Sequence, residues 1–87
     1  MTDKLEEMLR NQVEDEFKGV LMYDEIVEEM VRNKDTVKDA DKHIETLRGI
    51  QKQQAVHCLE LVNMIIDLGF KEPAIVQKLE DYFKIEK

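Results

Sequence analysis

At 87 residues, with 13 Lys and Arg against 20 Asp and Glu, the chain carries a formal charge of −7 and has room for one domain, 1–87. Three glycines, one proline and no tryptophan are too few turn residues for a β-sandwich or barrel, and the acidity argues against nucleic acid or an anionic membrane as partner. A lone cysteine cannot close an internal disulfide. There is also no run of about 18 apolar residues, and Met1-Thr2-Asp3-Lys4-Leu5-Glu6-Glu7 lacks the apolar centre of a signal peptide. The expectation is a soluble, cytoplasmic, all-α protein.

The first predicted helix covers 3–32, with Asp3 as N-cap and Glu6 as its capping-box partner, or with Thr2 as the cap instead. Steps of three and four give Leu5, Leu9, Gln12, Glu16, Gly19, Tyr23, Ile26 and Met30, flanked by Val13, Phe17, Val20, Val27 and Val31. Glu7, Glu14, Lys18, Glu25, Glu28, Glu29 and Arg32 make the solvated face. Asn33-Lys34-Asp35-Thr36 breaks the pattern, and Asp35 or Thr36 is placed to cap a second helix over 36–68, with Asp39 offering a later start. Its stripe reads Ala40, His43, Leu47, Ile50, Gln54, His57, Leu61, Met64 and Leu68, flanked by Ile44, Cys58, Val62 and Ile65. Gly69 is placed to stop it. Pro73 then opens a short third helix over 73–84, with Ile75, Val76, Leu79, Tyr82 and Phe83 as its apolar edge.

Helices of roughly 30 residues are about 45 Å long, and a hairpin of that length buries only one seam. The stripes here are wider than one seam. With no disulfide to supplement a thin core, the expectation is a homo-oligomer in which two hairpins pair as a four-helix bundle, either a dimer or a multiple of dimers. Met8, Met22, Met30 and Met64 read as packing filler.

Three polar residues interrupt the apolar stripes at mid-height. A short turn makes the two helices antiparallel, so residue n lies about level with residue 70 − n. Glu16 then faces Gln54, and His57 lies one turn away. A buried carboxylate without a partner costs several kcal/mol or takes up a proton, so Glu16 needs a histidine, a protonated state or a metal ion. Gln54 and His57, at i and i+3, reach one point. A two-fold axis would gather two copies of each. Imidazole and carboxylate together suit a transition metal, and the neutral amide of Gln54 can serve as a weak ligand or as a hydrogen-bond donor to Glu16. Cys58 points about 100° away from His57 and reads as a small buried side chain, while His43 lies far along the helix near the hairpin turn.

Asp15-Glu16-Phe17-Lys18-Gly19-Val20-Leu21-Met22-Tyr23 resembles the first-helix motif of ferritin-like and rubrerythrin-type proteins: a ligand Glu, a small residue three later and an aromatic seven later. The run from Leu47 to Leu61 resembles their second-helix motif, Ile-x-x-x-Glu-x-x-His-x-x-x-Leu, with Gln54 where the family has Glu. The resemblance spans residues 5–70 and is to the half-size members, including encapsulated ferritins, in which two-helix chains assemble around a shared di-iron centre. It implies an antiparallel hairpin plus a short C-terminal helix, dimerising into a ferritin-like four-helix bundle. It further implies a reduced carboxylate and histidine centre of Glu16, His57 and Gln54 with Tyr23 nearby. Iron is the implied metal, with zinc and manganese as alternatives, and a protein partner or shell is a further implication. The contrasting reading is a metal-free structural or adaptor bundle that acts through protein contacts.

Overall fold

A computed structural model describes residues 2–85, of which the side chains of 3–84 are described. It contains three helices and, among the described residues, no strand: α1 (Thr2–Arg32), α2 (Ala40–Asp67) and α3 (Val76–Ile85). The fold is all-α. α1 and α2 form an antiparallel hairpin and α3 packs back onto α2, giving an elongated body of 54 × 24 × 16 Å.

The helix ends differ from the sequence expectation in three places. α1 begins at Thr2, so Asp3 lies inside the first turn instead of capping it, and Glu6 pairs with Arg10 at 2.8 Å. Acidic Asp3 still suits the positive end of the helix dipole. α2 begins at Ala40, not at 36, because the Thr36 hydroxyl turns back to the Asn33 carbonyl (3.0 Å), which also receives the amides of Thr36 and Val37. Those bonds extend α1 as a turn and leave no cap for a helix starting there. Asp39 is the N-cap, held in the left-handed region at φ 58° without a side-chain capping bond. Aspartate tolerates that region better than most residues. Lys34 pairs with Asp41 at 2.7 Å across this turn. α3 begins at Val76, three residues after Pro73, whose carbonyl accepts the Val76 amide in a lead-in turn.

Gly69 stops α2 as expected. At φ 87° it lets the Phe70 amide reach the Ile65 carbonyl (3.1 Å) and its own amide reach Ile66 (2.9 Å), the paired bonds of a Schellman motif. The chain then reverses, and Arg10 donates to the Lys71 carbonyl, tying the start of α1 to the segment before α3.

The core is built from Val13, Phe17 and Val20 of α1, Ala55, Cys58, Val62 and Ile65 of α2, and Val76 and Leu79 of α3. Leu9, Leu61, Phe70, Ile75, Tyr82 and Phe83 pack around it, the last two rings edge to face at 5.3 Å. The centre of each buried stripe is therefore rotated from the line traced in the sequence, onto its flanking residues and, on α2, onto Ala55, which that line does not include. The displaced side chains remain half exposed: Leu5, Met8, Met22 and Ile26 on α1, and Ile50, Met64 and Leu68 on α2. Met8, Met22 and Met64 are thus not core filler within one chain.

At 100° per residue these exposed side chains lie on one side of the hairpin. Leu21 and Leu59 lie on the other, where α3 sits. α3 thus covers one face and leaves the opposite apolar face open.

Among the described residues, one polar side chain is fully buried. Gln51 donates to the Val20 carbonyl (2.8 Å) and to Asp24 (2.9 Å), and accepts from Arg48 (2.8 Å), which also pairs with Asp24 at 2.7 Å. A satisfied buried amide of this kind fixes the register of two helices, since sliding either one strands its polar atoms. Gln51→Leu is expected to lower the unfolding free energy by about 1–3 kcal/mol, measured by urea denaturation, because Asp24 and Arg48 lose their buried partner.

Candidate metal centre

The antiparallel register brings α2 across α1 near Glu16. Gln54 Nε2 donates to the Glu16 carbonyl at 3.2 Å, so the two expected neighbours do meet, though through the Glu16 backbone and not its carboxylate. His57 Nδ1 lies 2.8 Å from Glu16 Oε2. The glutamate side chain is 17% exposed and the histidine side chain 56%, so His57 sits at the rim of the seam, on the open apolar face, and not inside it.

The carboxylate is unevenly satisfied. Gln12, one turn earlier on α1, donates to Oε1 at 3.3 Å. Oε2 is buried and lies 2.8 Å from His57 Nδ1, an ion pair when the imidazole is protonated. A carboxylate oxygen removed from water normally collects one or more donors. Here the imidazole is the partner within reach.

Gly19 makes this crossing close. The whole Gln54 amide, Nε2, Cδ and Oε1, lies over Gly19, and a Cβ there would collide with Nε2. Glycine costs about 1 kcal/mol relative to alanine within a helix, and the amide seated on α1 is what it permits.

Tyr23 is half buried and, among the described residues, makes no hydrogen bond to Glu16, Gln54 or His57. Cys58 is buried as expected, and burial first, then the Glu16 charge, pushes its thiol up to about 11. It remains a protonated packing group at neutral pH. His43 is exposed near the hairpin turn. A separate groove of about 370 Å³ runs between α1 and α3, lined by Phe17, Leu21, Ile75 and Lys78, on the side away from His57.

Within one chain, the described residues contain no group of three or more His, Cys, Asp or Glu side chains close enough to hold a metal ion. One chain supplies two converging donors, Glu16 Oε2 and His57 Nδ1. The sequence reading passed over Gln51, Asp24 and Arg48. The available signal was spacing: Gln51 lies four, seven and eleven residues before Ala55, Cys58 and Val62, all on the buried face.

Comparison with protein-family models, curated proteins and solved structures finds no match for this chain. No helix among the described residues is long and apolar enough to cross a membrane.

The seating of Gln54 over Gly19 has a measurable consequence. Gly19→Ala alone must displace the Gln54 amide, so it gains less than the helix-propensity difference of about 1 kcal/mol. In a Gln54→Ala background the same change is expected to give the full gain. A double-mutant cycle in urea reads the coupling between the two positions, and strict additivity contradicts the packing described.

Proposed function

We propose that this chain is a ferritin-like subunit that pairs with a second copy and binds a metal ion where the Glu16 and His57 side chains of the two copies meet, with Gln54 beside them. The observation that carries the reading is the buried Glu16 Oε2 paired at 2.8 Å with His57 Nδ1, which brings an oxygen and a nitrogen from two helices to one point. The two atoms form an ion pair when the imidazole is protonated, and with the imidazole neutral both can turn to a cation in place of that proton.

The pairing follows from where this site lies. It opens onto the face that α3 leaves uncovered, among Leu5, Met8, Met22, Ile26, Ile50, Met64 and Leu68. Exposed apolar surface of that extent calls for a partner, and a second copy brings two more donors to a site that is half complete in one chain. Two hairpins joined this way form a four-helix bundle. Iron is the metal suggested by the likeness to ferritin-like sequences, and when bound it would supply one-electron redox chemistry. Zinc and manganese share its preference for nitrogen and oxygen donors.

The second reading, a metal-free structural or adaptor bundle, draws on the same uncovered apolar face, which needs a cover whether or not metal binds. Thermal melts separate the two. Added ferrous iron, zinc or manganese is expected to raise the midpoint by on the order of 10 °C at a metal concentration about a hundredfold above Kd. His57→Ala is expected to abolish that rise while leaving the helical signal intact. A sedimentation-defined dimer whose midpoint ignores all three metals supports the metal-free bundle.

A further inference from the structure

The three helices leave one corner of a bundle empty. α2 packs against both α1 and α3, yet among the described residues no Cα of α3 comes within 8 Å of one in α1. Helices in direct contact have axes about 8–10 Å apart, which brings their nearest Cα atoms closer than that. Between α1 and α3 lies a groove of two adjoining hollows, about 370 and 360 Å³, that share Phe17, Leu21 and Lys78. The two helices run the same way along it: Glu14 lines the first hollow with Ile75, and Asp24 lines the second with Tyr82. Buried Phe17, half-buried Ile75 and Leu21, which is 48% exposed, give the groove an apolar lining. Two helices flanking a third without touching each other leave the place that a fourth helix takes in a bundle.

The charges along this groove have a definite order. Glu14 precedes Lys18 by four residues of α1, about 6 Å, and Lys78 precedes Asp81 by three residues of α3, about 4.5 Å. An acid therefore stands at each end and two lysines stand between. Among the described residues Glu14, Lys18 and Lys78 have no ion-pair partner, and Asp81 receives only the neutral Gln77 amide at 3.2 Å. Asp24 also borders the groove, but Arg48 and Gln51 already occupy it.

We propose that the groove between α1 and α3 docks an amphipathic helix of a partner protein, whose apolar stripe lies on Phe17, Leu21 and Ile75 and whose flank carries an acidic residue with a basic one about a turn away on either side. The acidic residue meets Lys18 and Lys78, and the basic ones meet Glu14 and Asp81. Burial of the apolar stripe supplies the affinity, as in other helix-in-groove recognition. The four rim charges are exposed and screened, so they select the partner and fix its position more than they hold it. This site does not depend on the reading of Glu16 and His57.

The test is fluorescence anisotropy at low salt with the full-length protein and two labelled peptides of about 15 residues. Both carry leucines at i, i+3, i+4 and i+7, and they differ only in having Lys, Glu, Lys or Glu, Lys, Glu at successive turns beside that stripe. The first is expected to bind saturably and about tenfold more tightly than the second. Leu21→Asp is expected to abolish binding of both, which separates the groove from the open face of the hairpin. The combined variant Glu14→Lys, Lys18→Glu, Lys78→Glu and Asp81→Lys keeps the net charge and is expected to invert the preference. Equal affinity for the two peptides, no binding of either, or binding that survives Leu21→Asp overturns the proposal. So does a dimer of the unaltered protein that Leu21→Asp disperses in sedimentation, because a second copy then fills the groove. Urea midpoints confirm that each variant is folded, and if the combined variant does not fold, the two peptides and Leu21→Asp decide the matter.

Discussion

The carboxylate of Glu16 at the crossing of two long helices is the constraint around which this hairpin is arranged. It is 17% exposed, and His57 Nδ1 lies 2.8 Å from its buried Oε2. A buried charge without such a partner costs free energy that a small core has little of to spare. The local structure accommodates it from several sides. Gly19 lets α2 approach, Gln54 ties the crossing to the α1 backbone, and Gln12 satisfies the second oxygen. The remaining oxygen faces the imidazole on the hairpin's open side.

Two different polar devices lie along the same seam. About two turns above Glu16, Gln51, Asp24 and Arg48 form a closed set in which every bond has its partner. That set aligns the helices and asks for nothing further. The Glu16 and His57 ion pair lies instead at the edge of the seam, on the face that α3 does not cover. Its two titratable groups beside an open face are what make it a candidate site, while the Gln51 set is structural. The third helix adds to the asymmetry: Leu79 and Val76 seal one side of the hairpin, so any second hairpin has one face to join.

Much of this was legible in the residues. Helical periodicity gave the three elements, Gly69 marked the end of α2, and counting back from the turn placed Gln54 on Glu16. The centre of the stripe was harder to read. Stepping through Gln12, Glu16, Gln54 and His57 follows the polar members, whereas the buried line runs through Val13, Phe17 and Val20 and through Ala55, Cys58, Val62 and Ile65. Both lines obey the same spacing, and the packing of the three helices on one another selects between them. Gln51 stayed hidden among Lys52, Gln53 and Gln54, because a glutamine in a polar run reads as solvated until its helical neighbours are counted. Of the two starts offered for α2, the later one after Asp39 is taken, because a threonine hydroxyl can bond backwards to a carbonyl as readily as forwards to an amide.

The central claim is that Glu16 Oε2 and His57 Nδ1 converge on a cation shared between two copies. Anomalous scattering from crystals grown with zinc tests it most directly. The account predicts a single strong peak on the two-fold axis of a paired hairpin, bonded to those two atoms from each chain at about 2.0–2.2 Å. A peak bound elsewhere on the surface, or paired chains with Glu16 and His57 facing away from each other across the interface, contradicts it.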